Sequence, residues 1–218
     1  MMKVKHFDEE SEWLDFRKGK ISGTLAAAIV GLSPYTTTTQ AYELLVGESE
    51  WKDISSKDCV VKGKKAEDHI RTLFALDHPE YEVQDNSVKG WDVVVSEKYD
   101  YIMATPDGFL KNLITGKNGV LEIKTCAMIN TYQKEKWSKD KIPENYYCQV
   151  LQEMYCTGAE FGVLVAELMY DNNLTMRRVY IFNREDVQQD IDFLIQQEIE
   201  FYTKHVIPKV RPALTLNL

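Results

Sequence analysis

One short segment, residues 119–125 (Gly-Val-Leu-Glu-Ile-Lys-Thr), restricts the fold more than any other part of the chain. Its apolar and β-branched residues predict a short buried strand. Because side chains alternate between the two faces of a strand, Glu122 and Lys124 share one face. Burying an acid and an amine in apolar surroundings is costly, so this pair makes the strand a candidate functional element.

A second candidate acid, Asp107, lies in a Thr-Pro-Asp-Gly turn. If residues 101–110 pair with the strand 118–125, Asp107 approaches Glu122. Two adjacent carboxylates repel each other unless a cation neutralises them, and their hard oxygen atoms suit magnesium or manganese. With Lys124 beside the ion, such a set supports metal-assisted hydrolysis of a phosphodiester. The alternative is a surface turn next to an ordinary Glu–Lys ion pair.

A third candidate acid comes from the segment 57–76, which has helical periodicity. The apolar stripe of this helix is formed by Ile70, Leu73 and Phe74. Glu67 shares that stripe, and an acid on an apolar face needs a partner. The alternative to a functional role is an ion pair at the helix surface with Lys64 or Arg71.

A second informative helix is predicted at 144–157, opened by Pro143 and ended by Gly158. Gln149 borders its apolar positions, and Gln152 lies about one turn further along. Alone, a glutamine in such a place is in most proteins a solvated or hydrogen-bonded amide. These two residues therefore gain significance only in combination with the acids.

The remaining sequence completes a mixed domain. Further helices are predicted at 9–17, 25–30, 40–46 and 186–205, and further strands at 91–95, 101–104, 161–168 and 175–182. Thr24 is the predicted cap of the 25–30 helix, Thr38 or Thr39 caps the next one, and a turn at 171–173 joins the last two strands. Helices, a central sheet, a helix, more sheet and a helix indicate an α/β or α+β fold. The chain has no repeat or linker, so we predict one domain, 1–218.

The charge limits the kind of nucleic-acid contact that the protein makes. The chain has 26 basic and 34 acidic residues and a formal net charge of −8. Proteins that coat nucleic acid without specificity are usually basic, because phosphate neutralisation provides most of their affinity. The charge therefore argues against a histone-like or single-strand-coating role. It does not argue against a nuclease, whose carboxylates bind metal and whose basic residues gather in one groove.

Three further features concern the compartment. No window holds eighteen uninterrupted apolar residues, so no membrane span is predicted. Acids at Asp8, Glu9 and Glu10 stand where a signal peptide would need an apolar stretch, which predicts an intracellular protein. The four cysteines have no CxxC spacing, so neither a zinc site nor a disulfide framework is indicated.

Taken together, these residues resemble the PD-(D/E)xK nuclease motif in its Pro-Asp … Glu-x-Lys form, in the order of the RecB-like branch. More narrowly, the chain resembles the phage lambda exonuclease / YqaJ viral recombinase family. Five blocks carry the resemblance: residues 17–24, 63–74, 104–108, 121–125 and 146–154. The resemblance implies an α/β (α+β) fold with a restriction-endonuclease-like core, in which helices flank a central mixed β-sheet.

The resemblance also implies a catalytic site with magnesium, two ions per site, for which manganese can substitute. The implied metal ligands are Asp107, Glu122, the main-chain carbonyl of Ile123 and, at the second ion, Glu67. Lys124 resembles the lysine that orients or activates the attacking water. Gln149 matches the glutamine that helps to fix the lysine and the water.

A DNA site is implied as well. Arg17 and Thr24 match an arginine and a hydroxyl residue that grip the terminal 5′-phosphate, and a guanidinium binds phosphate bidentately. The residues expected to contact DNA or the phosphate are Arg17, Ser22, Thr24, Thr105 and Gln152. Many relatives read Gln-Val-Gln where this chain has Leu151 in place of the second amide. This departure leaves open whether Gln149 or Gln152 contacts the active site.

The implied function is a magnesium-dependent 5′→3′ exonuclease that resects linear duplex DNA to 3′ single strands for phage-type recombination. The implied partners are duplex DNA ends and a single-strand annealing protein of the RecT or Red-beta type. The implied location is the cytoplasm of a bacterial host that carries the phage or prophage. The alternatives are an endonuclease, a Cas4-like nuclease, or a non-catalytic DNA-end-binding protein on the same fold. A Cas4-like enzyme needs a four-cysteine iron–sulfur cluster, and the cysteines here are too far apart in sequence.

The resemblance finally implies a homotrimeric ring that admits duplex DNA. A monomer with a net charge of −8 would repel DNA over much of its surface. In a ring, the acids can face outward while lysines line the channel. The candidate channel residues are Lys18, Lys20, Lys64, Lys65, Lys134, Lys136, Lys139 and Lys141. The alternative is that these lysines are simply solvated.

Overall fold

A computed structural model describes residues 2–85, 91–138, 141–170 and 174–213. A π-helical turn (Tyr202–Val206) follows the last helix. In chain order, the strands and helices of the described residues are β1 (Lys3–Phe7), α1 (Glu10–Arg17), α2 (Gly23–Ile29), α3 (Thr38–Val46), α4 (Asp58–Asp77), β2 (Tyr81–Asp85), β3 (Trp91–Val95), β4 (Met103–Ala104), β5 (Gly108–Asn112), β6 (Asn118–Ala127), α5 (Thr131–Lys136), α6 (Glu144–Thr157), β7 (Phe161–Met169), β8 (Thr175–Asn183) and α7 (Arg184–Phe201).

A five-stranded sheet in the order β2-β5-β6-β7-β8 forms the centre of the structure. Strands β6 and β7 are parallel, with Glu122 beside Leu164, whereas the other neighbours are antiparallel. A smaller antiparallel sheet in the order β1-β3-β4 lies apart from it. The mixed sheet confirms the predicted α/β (α+β) class.

Helices cover both faces of the five-stranded sheet. On one face α4 packs through Ile70 and Phe74 against Leu121 and Ile123 of β6. On the opposite face α2, α6 and α7 enclose the larger core. Because side chains alternate along a strand, Glu122 points away from α4 and toward the layer that contains α6. The packing of the sheet therefore decides which helix meets the candidate catalytic face.

Short-range signals set the ends of two helices. Helix α6 begins after Pro143 and ends at Gly158, which has a left-handed φ of 71°, as the sequence predicts. Helix α3 begins slightly earlier than predicted, because Thr37 rather than Thr38 or Thr39 caps it. The Thr37 hydroxyl accepts a hydrogen bond from Gln40 N, and the Gln40 side chain accepts one from Thr37 N.

Two local predictions are wrong. Helix α2 starts at Gly23 after Ser22, so Thr24 is an exposed residue of its first turn and not its cap. Leu73 is 41% exposed and lies outside the apolar stripe of α4. The buried residues of that stripe, Ile70 and Phe74, face the sheet. The predicted turn at 171–173 lies outside the described residues.

Sequence reasoning missed β1, β2, β5 and α5. The expected pairing of 101–110 with the strand 118–125 is only partly correct, because residues 108–111 pair with β6 whereas 103–104 pair with β3. Strand β1 pairs with β3 at the edge of the smaller sheet, and four of its five residues are exposed. Helix α5 is only six residues long and buries none of them. Elements with so little buried surface lack the apolar periodicity that predicts longer ones.

The length and polarity of the helices bear on the prediction that the chain has no membrane span. In the described part of the chain, no helix is both long and apolar enough to cross a bilayer. The two longest helices, α4 and α7, have 20 and 18 residues and carry charged side chains along their length.

Glu198 of α7 makes the stability of the protein depend on pH. It is fully buried, and neither carboxylate oxygen has a hydrogen-bond partner among the described residues. Burial raises the pKa of Glu198 well above its ordinary value. The folded state therefore keeps a proton that the unfolded chain releases above about pH 4.3, and the free energy of unfolding falls as the pH rises toward the raised pKa.

Glu198→Gln is expected to lessen this loss. Between pH 5 and 8, the difference in unfolding free energy between variant and wild type should grow by up to about 1.4 kcal/mol per pH unit in favour of the variant. Urea unfolding at several pH values measures the difference. Asp192→Asn, at an exposed position of the same helix, is the control and should run parallel to the wild type. Parallel curves for Glu198→Gln would contradict a buried, protonated Glu198.

Candidate active site

Asp107 is held beside β6 by a hydrogen bond to the β6 backbone. It immediately precedes β5, whose first residue, Gly108, pairs with Leu121. The Asp107 Oδ2 accepts a hydrogen bond of 2.7 Å from Ile123 N. In a strand the N–H and C=O of one residue point to the same edge, so the carbonyl of Ile123 also faces the Asp107 side. The structure thus brings the predicted aspartate and the predicted main-chain oxygen to one edge of β6.

Glu122 and Lys124 share a face of β6, as the alternation predicts. The Lys124 ammonium contacts the Oε1 of Glu122, whose side chain is 1% exposed. Burial by itself lowers the pKa of Lys124, but the negative charges of Glu122 and Asp107 outweigh it and raise that pKa above its ordinary value. In this arrangement Lys124 is an ammonium group that donates hydrogen bonds.

Helix α4 brings Glu67 to the same cluster. Burial raises the pKa of Glu67, the charge of Lys124 opposes that shift, and the charge of Glu122 adds to it. Lys64, one of the alternative partners, forms an ion pair with Glu10 instead, at 3.8 Å. The charged neighbours of Glu67 are Lys124 and Glu122 of β6 and, on its own helix, Arg71 and Asp68. The functional role of Glu67 stays a prediction beside the alternative of a pair with Arg71.

Sequence reasoning missed a fourth acid, Glu153 of α6. Glu153 is 1% exposed, and its carboxyl group lies within hydrogen-bonding reach of Glu122. Burial and then the neighbouring charge of Glu122 raise the pKa of Glu153 well above its ordinary value. One signal could have identified it: Glu153 lies four residues after Gln149, so both side chains project from one face of α6.

Among the described residues the cluster gathers four carboxyl groups around the Lys124 ammonium, with the Arg71 guanidinium at its side. Burial raises the pKa of Asp107 well above its ordinary value, and the charge of Glu122 raises it further. The Oε2 of Glu122 is buried without a hydrogen-bond partner in the described structure. As placed, no three acidic, histidine or cysteine side chains of the described residues converge on one metal position. Carboxyl groups whose ionisation is opposed by burial and by each other's charge fit magnesium, whose positive charge would favour their ionised form and which takes only one or two protein carboxylates.

The two glutamines of α6 occupy different environments. Gln149 packs against Gly23, so closely that a Cβ on this glycine would lie 2.7 Å from the Gln149 Cγ. Gln152 is fully buried, and its amide nitrogen donates to the carbonyls of Ile21 at 2.9 Å and Met103 at 2.8 Å. The prediction that Gln152 contacts DNA is therefore wrong, because the side chain is enclosed and its amide nitrogen is occupied. Gln152 joins two backbone segments instead.

The segment that contains Ile21 is hydrogen-bonded to residues 101–103, which lead to Asp107. The Ile21 N donates to the carbonyl of Tyr101 at 2.7 Å, and the Ile21 carbonyl accepts from Met103 N at 3.0 Å. Residues 17–24 and 104–108, which are far apart in the sequence, are therefore attached to adjacent backbone. The block that carries the predicted DNA contacts is thus hydrogen-bonded, through Ile21, to the segment that leads to Asp107.

Arg17 has an environment suited to an anionic ligand. Its guanidinium lies 4.2 Å from the ring centroid of Trp13, and burial lowers the pKa of Arg17 to about 10. Among the described residues no carboxylate pairs with it. Ser22 is buried, Thr24 is exposed and Thr105 is half-buried, and their predicted contacts with DNA stay predictions.

Aromatic contacts bring the chain after β6 close to Lys124. The Lys124 Nζ lies 5.5 Å from the ring centroid of Tyr146, and that ring lies 5.7 Å from the ring of Trp137. Trp137 directly follows α5, which carries Lys134 and Lys136. These lysines are therefore on the active-site side of the sheet.

The other predicted channel lysines have mixed surroundings. Lys139 lies outside the described residues. Of the seven lysines in the described part of the chain, three have acidic partners: Lys18 with Asp15 at 2.6 Å, Lys64 with Glu10 at 3.8 Å and Lys136 with Glu144 at 2.7 Å. Surface pairs of this kind are weak, so they leave these lysines able to exchange partners with phosphate.

Comparison with known proteins identifies relatives in sequence. The sequence profile of the YqaJ-like viral recombinase domain matches residues 12–160. The YqaJ protein of Bacillus subtilis (strain 168) is 27% identical, in an alignment that covers 93% of this chain. The same alignment spans 58% of that protein, so the relative is considerably longer than the region they share.

Solved structures extend the comparison to the fold. The alkaline exonuclease LHK-Exo from Laribacter hongkongensis matches with a TM-score of 0.56 and 17% identity, over 92% of this chain and 99% of that chain. Its complex with dAMP matches with a TM-score of 0.58 and 19% identity, over the same shares of both chains. A phage related exonuclease from Haemophilus somnus 129PT matches with a TM-score of 0.51 and 11% identity, over 85% of this chain and 94% of that chain. At these identities the likeness concerns the fold, and it confirms the predicted restriction-endonuclease-like core.

Proposed function

This chain belongs to the YqaJ-like viral recombinase domain family, and from that premise we propose that it is a magnesium-dependent 5′→3′ exonuclease of linear duplex DNA. The observation that carries the proposal is the hydrogen bond from Ile123 N to Asp107 Oδ2, which sets an aspartate beside the Glu122–Lys124 pair. Two carboxylates and a lysine at one point are suited to metal-assisted hydrolysis of a phosphodiester.

The roles proposed for the individual residues are those that the family resemblance implies, and each fits the chemistry of its side chain. The proposed ligands of two Mg²⁺ ions, which Mn²⁺ can replace, are Asp107, Glu122, the carbonyl of Ile123 and Glu67. Such ions, when bound, polarise the scissile phosphate and make bound water more acidic. Lys124, as an ammonium, donates hydrogen bonds that orient the attacking water and neutralise charge on the phosphate. Gln149 lies on the helix face that meets this strand and helps to fix the lysine and the water.

Arg17 is proposed to bind the 5′-phosphate of the strand that is degraded. Its support is a desolvated guanidinium with no carboxylate partner among the described residues, four residues before Ile21, whose backbone is hydrogen-bonded to Tyr101 and Met103. A guanidinium holds a phosphate through two parallel hydrogen bonds. The hydroxyls of Ser22, Thr24 and Thr105 complete the proposed pocket. Binding of the terminal phosphate next to the metal site would give the enzyme its 5′→3′ polarity.

The proposal is tested with linear duplex DNA labelled on either end of one strand. With magnesium present, we expect the 5′ label to be released first as mononucleotide, while the 3′ label stays on long DNA. Chelation of the metal should stop the reaction, and covalently closed circular duplex should stay intact. Early loss of the 3′ label, or cutting of the circle, would indicate a different nuclease. Binding to ends without cleavage would indicate a non-catalytic end-binding protein.

The resected product suggests the place of the enzyme in a recombination reaction. Removal of the 5′ strand leaves a 3′ single strand, which a single-strand annealing protein of the RecT or Red-beta type can coat. We propose that such a protein is the partner, in the cytoplasm of a bacterial host that carries the phage or prophage. The viral recombinase name of the family supports this assignment.

We propose that three chains form a ring around the DNA. In a ring, the lysines of α5 can face the DNA while the acidic residues, which give the chain its net charge of −8, face outward. A ring also keeps the DNA strand enclosed until its end is reached. Light scattering at micromolar concentration should then give about three times the chain mass of 25.2 kDa. A monomer both free and DNA-bound would contradict the ring and leave the nuclease proposal intact.

A further inference from the structure

Arg71 links the helix that carries Glu67 to the turn that carries Asp107. It lies one helical turn after Glu67, and only 8% of its surface is exposed. Its Nη2 donates to the main-chain carbonyl of Asp107 at 2.9 Å, and its Nη1 donates to the Asp68 carboxylate at 2.8 Å. A guanidinium presents its donors in a rigid planar fork, so these two bonds hold the turn at a set distance from α4.

Asp107 is therefore held from two sides. Its side chain accepts the hydrogen bond from Ile123 N, and its main chain accepts the one from Arg71. Strand β5 begins only at Gly108, so Asp107 lies just outside the strand. A residue at such a strand end depends on contacts from other elements for its position.

We propose that Arg71 is a positioning residue that fixes the Asp107 backbone to α4, so that the carboxylates of Asp107 and Glu67 keep the separation that a divalent cation needs. This inference rests on the proposed metal-dependent function. The two acids come from separate elements, and Arg71 directly connects those elements. Groups that orient metal ligands are commonly worth about 10- to 100-fold in metal affinity.

The sign of the effect separates positioning from simple electrostatics. Arg71 carries a positive charge near the acid cluster, and its charge acts on Glu67. Removing a positive charge near a cation site should, by Coulomb's law alone, strengthen cation binding. A positioning role predicts the opposite, because a displaced Asp107 binds the ion less well.

The test is a titration of the full chain with Mn²⁺ alone, followed by the electron paramagnetic resonance signal of the free ion. Arg71→Met keeps the side-chain stem and removes the donors, and we expect about tenfold weaker binding or more. Arg177→Met is the matched control. Arg177 is also a partly buried arginine, and it pairs with Asp77 at 3.2 Å and Glu167 at 3.4 Å. It should bind Mn²⁺ within about twofold of the wild type.

A second measurement keeps the test valid if Arg71→Met does not fold. The amide proton of Ile123 donates to Asp107, so its NMR chemical shift reports the position of that carboxylate. In Arg71→Lys, which keeps the charge but lacks the planar fork, we expect this proton to move upfield and Mn²⁺ binding to weaken. Wild-type affinity with an unchanged Ile123 shift would overturn the positioning role alone. Absence of Mn²⁺ binding by the wild type would overturn the proposed function together with it.

Discussion

Asp107→Ala is expected to slow magnesium-dependent cleavage of linear duplex DNA by about a thousandfold or more. The variant removes the carboxylate that Ile123 N positions at 2.7 Å and that is proposed to bind the metal. Loss of a ligand forfeits several kcal/mol of transition-state stabilisation, and about 1.36 kcal/mol corresponds to a factor of ten in rate. Initial rates of nucleotide release at saturating magnesium measure the effect. Glu122→Ala should have a similar effect, since it deletes the second proposed carboxylate.

Lys124→Ala examines the same site without deleting a metal ligand. We expect a nearly equal loss of cleavage with DNA-end binding intact, because the lysine is proposed to act on the water and the phosphate charge. Lys111→Ala removes an equal charge at an exposed position of β5 and serves as the control. Near wild-type turnover by Lys124→Ala would show that the active site has been assigned wrongly.

The second large effect concerns the ends of the DNA. The wild type should digest 5′-phosphorylated ends faster than 5′-hydroxyl ends, and Arg17→Ala should erase most of that preference. Hydrogen bonds to charged groups are worth about 1.5–3 kcal/mol, which corresponds to about a ten- to hundredfold preference. Rates on matched duplexes that differ only in the terminal phosphate measure it.

Two outcomes decide the role of Arg17. Lys5→Ala, which removes an equal charge from the exposed strand β1, should keep the preference for phosphorylated ends. Equal wild-type rates on both kinds of end would rule out the phosphate pocket and leave the proposed metal site untouched.

The elements that position the site are largely predictable because their signals are local. Alternation over 119–125 predicts β6, which the structure extends to Asn118–Ala127. A proline and a glycine bracket α6 within one residue of its observed ends. Strand β3 coincides with the predicted 91–95. Periodicity and capping depend on neighbours a few residues apart, so the sequence alone contains them.

The least predictable features are those with little buried surface or with distant partners. Strand β1 is an exposed edge strand, and the start of α2 is displaced from Thr24 to Gly23. From the sequence, Gln152 is a predicted DNA contact. In the structure its amide nitrogen donates to the carbonyls of Ile21 and Met103. Its two partners are 131 and 49 residues away in the chain, so no local pattern indicates them.

Alternation holds for any strand, so the shared face of Glu122 and Lys124, with an aspartate turn before them, can be read from the residues alone. The proximity of Glu153 to Glu122, the enclosure of Gln152 and the bond from Arg71 to the carbonyl of Asp107 appear only once the chain is folded. Burial and contact between distant residues depend on how the sheet and the helices pack. The spacing of residues along one strand or helix does not contain that information.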